Sequence, residues 1–429
     1  MRKHKAYPEY KDSGVEWLGL VPTHWNVKSI NTLVRKIQNG VWGDDPTDGI
    51  DDVSCIRVAD FNRRNFTVES NITTKRSVPL AHRISRKVEK YDLLLEKSGG
   101  GEKSPVGALV QYQGDENAIC SNFVAVVKTH SGVNNRWLCY AISHLYESGV
   151  NKLSIKQSTG IQNLDSNQYF LESIAIPQDN EQVLIASFLD YTTSKIDSLI
   201  EMQTDLIKLL REKRQSIITE AVTKGLNPNV PMKDSGVEWL GEVPEHWDVK
   251  PLKHIANQIT DKAKTSTFQV GLENIEGWTG LFIKTNSEFT GSGILFSQGD
   301  ILFGKLRPYL AKAWLADTEG EAVGDFFVIR PISMASDFVH SYVLSKMAID
   351  QLNATTIGAK MPRVSWEDMA SLAITIPPIH EQKQIALFVK SEKNRIGAMI
   401  EKLKMSIELL LEKRQSIITE AVTGKIDLR

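Results

Sequence analysis

Glu212 to Thr223 reads EKRQSIITEAVT, and Glu412 to Thr423 reads the same twelve letters. A second word, KDSGVEWLG, occurs at Lys11–Gly19 and again at Lys233–Gly241, each time followed by a V-P-x-H-W-x-V-K block. The order is word, variable stretch, word, and then the whole again. A repeat this long is no solenoid module, so the chain reads as two copies of one half with two equivalent jobs.

The likeness extends upstream of the twelve-residue word. IPQDNEQVLIASFLDYTTSKID (Ile176–Asp197) aligns with IPPIHEQKQIALFVKSEKNRIG (Ile376–Gly397) at a constant offset. Each copy opens on a proline, tolerated at or before a first helical turn. Asp179 and Gln182 are placed for a capping box. Each closes on a glycine suited to a left-handed C-terminal position, Gly225 or Gly424. Between these marks, apolar residues recur at four-three spacing: Ile185, Leu189, Ile196, Leu199, Leu206, Leu210, Ile217 and Ala221. The second copy keeps step with Ile385, Val389, Ile396, Met399, Leu403, Leu410, Ile417 and Ala421. This is the pattern of a coiled-coil seam. Each helix of ~44 residues would be roughly 60–65 Å long.

Direction follows from linker length. Only KGLNPNVPM separates Thr223 from the second KDSGVEWLG word. Parallel helices would force the second variable stretch to start and finish a full helix length apart. Compact domains have close termini, so the helices are expected to be antiparallel. The chain's own termini then meet, in a circular, pseudo-twofold layout.

The variable stretches, about 28–176 and 250–376, share a skeleton but little wording. Both contain a strand-like run entered by a tight turn (KYDLLLEKSGG; QGDILFGKLRPYL) and a short central helix (Trp137–Tyr146; Phe338–Lys346). Both end in a glycine-containing loop, a helix-like stretch and an apolar strand. The fold class is α+β: two globular domains joined by two long antiparallel coiled-coil helices. The expected boundaries are 1–177, 178–225, 226–377 and 378–429.

Composition sets limits. The chain of 429 residues has a formal net charge of −1 and 41% hydrophobic residues, ordinary for a soluble globular protein. No run approaches the length of a membrane span, and the N-terminus has no apolar stretch of a signal peptide. Three cysteines without C-x-x-C spacing fit a reducing cytoplasm better than a disulfide or zinc framework. An isolated nucleic-acid binder is usually more basic, so any DNA contact needs local positive charge or a partner's help.

Taken together, these pieces resemble the specificity subunit of type I restriction–modification enzymes. The resemblance rests on the paired SGVEWLGxVPxHW words, the paired helix starts (Ile176, Pro177, Glu181, Gln182; Ile376, Pro377, Glu381, Gln382), the LLxEKRQSIITEAVT endings and Gly299–Ala313. It implies that the variable stretches are target-recognition domains, each reading half of a bipartite DNA site. The helices would set the spacing and dock methyltransferase subunits, two of them, which methylate adenine with S-adenosylmethionine. Two motor–nuclease subunits would cut unmethylated DNA with ATP and magnesium, a defence against foreign DNA. The chain itself would bind no cofactor or metal and carry no catalytic residue. A protein-binding adaptor with two ligand domains is the alternative from another class.

The residues agree with a non-catalytic reading. SGGGEKS at Ser98–Ser104 departs from a phosphate loop, because Glu102 stands where glycine must precede the lysine. Asp44, Asp45, Asp51 and Asp52 lie among Gly43, Pro46 and Gly49, as in a solvated turn. His24 and His246 have no paired nucleophile, and a packing role beside Trp25 and Trp247 suits them.

Base edges are read by side chains, while Lys and Arg on phosphates set register. In the second domain the candidates are Lys305, Arg307, Lys360 and Arg363. In the first they are Lys156, Gln157, Ser158, Thr159, Gln162 and Asn163, with Arg57, Arg63, Arg64, Lys97 and Lys103. On the helices, Arg211, Lys213, Arg214, Lys413 and Arg414 are candidates for docking partner subunits. For each of these, a solvated surface charge is the competing reading.

Overall fold

The computed structural model describes residues 5–69, 71–158, 160–262, 268–285, 293–356, 358 and 360–429. It divides into two compact units, Met1–Glu201 with Ile407–Arg429, and Met202–Ser406. Two long helices, Asp179–Lys224 and Ile379–Val422, each contribute to both units.

Each repeated word folds the same way in its unit. Tyr10–Asp12 pairs antiparallel with Leu20–Pro22, and Met232–Asp234 with Glu242–Pro244. The intervening turn needs left-handed residues, supplied by Gly14 (φ 70°) and Gly236 (φ 72°). Next, Asn26–Ser29 pairs with Ser173–Ile176, and Asp248–Pro251 with Ala373–Ile376. The strands that enter and leave each variable stretch are therefore hydrogen-bonded neighbours. That is the close-termini condition from which the antiparallel direction was argued.

The skeletons match in their central strands. In the first unit Leu93–Glu96 is flanked antiparallel by Val124–Thr129 and Leu109–Gln111. In the second, Ile301–Gly304 is flanked by Phe326–Pro331 and Ala313–Leu315. Both central strands are fully buried. Each starts at an aspartate, Asp92 or Asp300, that accepts from the amide three residues earlier. Each aspartate also meets a cation from the neighbouring strand, Lys128 or Arg330. A second sheet in each unit has a parallel pair at its heart, Asp52–Ile56 with Ala118–Cys120 and Gln269–Val270 with Gly320–Ala322.

Within the first unit, Ile185 and Leu189 from the start of the first long helix share a core with Ile418, Ala421 and Val422 from the end of the second. Further along, Asp197 meets Arg414. In the second unit, Ile218 and Val222 share a core with Ile385 and Val389. As one helix advances the other retreats, so the helices are antiparallel. Both end as expected, with Gly225 at φ 79° and Gly424 at φ 71°. A Cβ on Gly424 would lie 2.4 Å from the Pro22 ring.

Two helix expectations are corrected. Leu199, Leu206 and Met399 are exposed, whereas Ile200, Ile207 and Ile400 are buried in their place. Toward the other end Ile218 and Ile418 are buried while Ile217 and Ile417 are only partly so. The buried stripe of the first long helix runs through 185, 189, 193, 196, 200, 207, 210, 214, 218 and 221. That advances at the ~3.6 residues per turn of a straight helix, which drifts off a strict heptad. The capping box is absent as well. Gln182 instead accepts from the Asn134 amide at 2.9 Å and donates to the Pro177 carbonyl at 3.1 Å.

Among the described residues, no helix is long and apolar enough to cross a membrane. The three cysteines are buried free thiols.

Candidate nucleic-acid interface

The two predicted reading segments of the second unit meet. Leu306 bridges to Arg363, the Arg307 amide donates to the Pro362 carbonyl at 2.8 Å, and the Val364 amide donates to the Lys305 carbonyl at 3.1 Å. The strand end at Gly304 and the loop before the helix Trp366–Ser371 thus form one surface. Arg307 is exposed and left-handed (φ 50°), opening a 3-10 turn at Pro308–Leu310. A non-glycine residue held there stores strain of about 1–3 kcal/mol, a common mark of a working loop. Lys360 is exposed. Arg363 is 59% exposed at its side chain and lies 2.8 Å from Asp325. Lys305 packs its ammonium 4.7 Å from the centre of the Phe327 ring, and burial holds its pKa below the ordinary lysine value.

The first unit repeats this junction. The Leu164 amide donates to the Lys97 carbonyl at 2.7 Å, and Ser98–Gly99 pairs with Gln162–Asn163. Lys97 and Lys305 occupy the same place, one residue beyond equivalent strands. Lys97 donates to Asn39 at 2.8 Å. Lys103 and Gln157 are exposed. Lys156 is largely exposed and pairs with Asp165, whose carboxyl it draws below its usual pKa through that hydrogen bond. Asn163 accepts from the Ser98 hydroxyl at 2.6 Å. Ser158 ends its strand, and Thr159 lies outside the described residues.

Other candidates are engaged by partners within the unit. Gln162 is 7% exposed and accepts from the Val106 amide, so its side chain holds the Pro105–Ala108 turn rather than a surface. Arg63 donates to Glu96 at 2.7 Å and to the Tyr146 hydroxyl at 2.8 Å. Glu96 is buried, and that burial raises its pKa despite the arginine. Arg57 pairs with Asp60, and Arg64 with Asp197. Of the docking candidates, Arg211 and Lys213 are exposed and Lys413 is half-buried. Arg214 and Arg414 are each 8% exposed, which corrects their expectation as surface contacts. Arg414 is turned onto Asp197, the Arg64 carbonyl and the Phe66 ring.

The remaining motifs also find structural work. Asp45 pairs with Arg76 and Asp51 with Arg83, while Asp52 accepts from the Thr47 amide. His24 lies 3.0 Å from Glu181, and His246 lies 2.8 Å from Glu381, at the starts of the two long helices. Tyr7 donates to Glu181, and Trp247 donates to Glu381. Sequence reading missed Asp325 and Phe123. Their carbonyls accept the equivalent amides of Lys305 and Lys97, and Phe123 is 44% exposed. Both end a three-residue turn between strands, before Val124–Thr129 and Phe326–Pro331, and no word in the chain marks them.

Residues 244–409 match a family model described as the type I restriction modification DNA specificity domain. The type I restriction enzyme EcoDI specificity subunit of Escherichia coli is 23% identical over 278 residues, 59% of this chain and 62% of that subunit's length. A putative type I restriction enzyme MjaX specificity subunit of Methanocaldococcus jannaschii is 23% identical, with 96% of either chain covered. A solved chain described under complex assembly and conformational transition of the type I R-M system has a TM-score of 0.69 at 14% identity, covering 95% of this chain and 99% of that one. The HsdS subunit from Thermoanaerobacter tengcongensis has a TM-score of 0.56 at 13% identity, covering 95% and 98%.

Proposed function

We infer that this chain, a member of the type I specificity-subunit family, selects DNA by sequence with one reader in each unit. One observation carries the reading. The same junction, strand end against pre-helix loop, is built twice on one scaffold from different side chains. A shared frame with different exposed loops is what two readers of two different half-targets need. The target is therefore bipartite, with unread base pairs between its halves.

In the second unit Arg307, Lys360 and Arg363 meet the DNA, with Lys305 supporting the loop. In the first unit the contacts come from Lys97, Lys103, Lys156, Gln157 and Asn163. Lysines on phosphate position the duplex without reading it, while Arg on guanine and Gln or Asn on adenine discriminate. Two methyltransferase subunits dock on the long helices through exposed positions such as Arg211, Lys213 and Lys413. They methylate adenine with S-adenosylmethionine, and two motor–nuclease subunits cut unmethylated DNA with ATP and magnesium. This chain supplies recognition and no catalytic group, and it works in the cytoplasm.

Base-resolution methylation mapping with this chain and its methyltransferase tests the reading. A gapped two-part target is expected, and a continuous one overturns it. In gel shifts, affinity should fall steeply with salt. Removing one phosphate contact, as in Lys360→Ala, should reduce the slope by about one.

A further inference from the structure

The duplication is unbalanced at one buried position. In the first unit Arg414 stands with its Nε 3.1 Å from Asp197. Its copy in the repeated word, Arg214, is equally buried in the second unit. At the helix offset, however, the residue matching Asp197 is Gly397. Among the described residues the Arg214 Nε has no hydrogen-bond partner, and neither do the buried Gln215 Oε1 and Thr219 Oγ1 on the same helix. Burial lowers the Arg214 pKa, with the nearby Glu276 carboxylate opposing the shift and Arg211 adding to it. Lys393, the copy of Thr193, is half-buried; it donates to the Thr279 carbonyl at 2.6 Å.

These groups line one cavity of about 1780 Å³ within the second unit, with Gly397 in its wall. A Cβ at Gly397 would meet nothing within 4 Å. Trp239, Trp278 and Leu281 supply an apolar side. Glu276 also lines the cavity, but its carboxylate accepts from the Thr279 hydroxyl at 2.6 Å. A buried guanidinium whose Nε has no hydrogen-bond partner costs free energy that an incoming carboxylate would recover.

We propose that this cavity binds a small carboxylate with an apolar body, its head group beside Arg214 where the first unit places Asp197 beside Arg414. The apolar side takes the body and Lys393 adds a second cation, so an aromatic acid suits the cavity better than a bare anion.

Titration of benzoate into the full chain, followed by calorimetry at fixed ionic strength in chloride, tests this. One saturable site per chain is expected, with acetate binding the same site more weakly. Gly397→Asp supplies the missing carboxylate from within. It should abolish benzoate binding and raise the melting temperature in chloride by more than Gly397→Ser, which has only the helix-propensity gain. Arg214→Gln should also abolish binding. No saturable heat with benzoate, or unchanged binding in Gly397→Asp, overturns the proposal. Gly397→Asp sits in open space and keeps the test informative if Arg214→Gln does not fold.

Discussion

Gln182 and Gln382 show how a repeated letter becomes a structural part. Each uses both ends of its amide: the oxygen accepts from Asn134 or Ala335, and the nitrogen donates to Pro177 or Pro377. Each thereby ties a helix start to the variable domain beneath it. Gln382→Ala leaves a buried amide and carbonyl unpaired and should cost about 1–3 kcal/mol in urea unfolding. Gln182→Ala should cost a similar amount, while Gln157→Ala, exposed on a strand end, should cost little. Lys393 gives the opposite sign. Burial holds its pKa down at about 8, so its charged form is penalised in the folded state. The penalty is full below about pH 8 and fades as pH rises toward the ordinary lysine value of ~10.4. Lys393→Met should therefore stabilise the protein by ~2–3 kcal/mol at pH 7. Stability curves at pH 7 and pH 10 should show that gain shrinking at the higher pH. A gain independent of pH would place its origin in packing instead.

At the scale of elements, the long helices were legible in kind and direction but not in register. Their existence follows from proline and glycine punctuation and from sustained periodicity. Their antiparallel course follows from the short linker after Thr223. The seam was misplaced by one residue because Leu199–Ile200 and Leu206–Ile207 are adjacent apolar pairs, and a heptad template picks the leucine of each. The straight helix turns the isoleucine inward. Ile207→Ala should thus cost about 2–4 kcal/mol, while Leu206→Ala should cost under ~1 kcal/mol. Equal losses in denaturant melts would restore the heptad register. Reading failed at the helix start for a related reason. Gln182 fits the capping-box spacing, but a partner 48 residues away holds its side chain.

At the scale of the molecule, each unit keeps its own cores, one set built around Trp25, Trp137 and Leu94 and another around Trp247, Phe338 and Leu302. The entering and leaving strands of each variable stretch are paired, so exchange of a variable stretch as a closed module is the expected outcome. Replacing residues 28–176 with the corresponding stretch of a type I specificity subunit of known target should change one half of the methylated target and leave the other half intact. A change in both halves on methylation mapping would break the two-reader account.

The sequence by itself determined the duplication, the two long helices, their opposed course and the presence of two variable stretches between the repeated words. All of these follow from local pattern: repeated words, helical period, turn residues and the length of a linker. Tertiary structure alone decided which charges remain available. Arg63 is held by Glu96, Arg414 by Asp197 and Gln162 by the Val106 amide, through pairings 33, 217 and 56 residues apart. Arg307 and Lys360 stay exposed, and Arg214 is buried facing a cavity where Gly397 stands in the place of an aspartate. A hydrogen bond or ion pair forms between whatever groups the fold brings within about 3–4 Å, and that distance has no image in the order of letters.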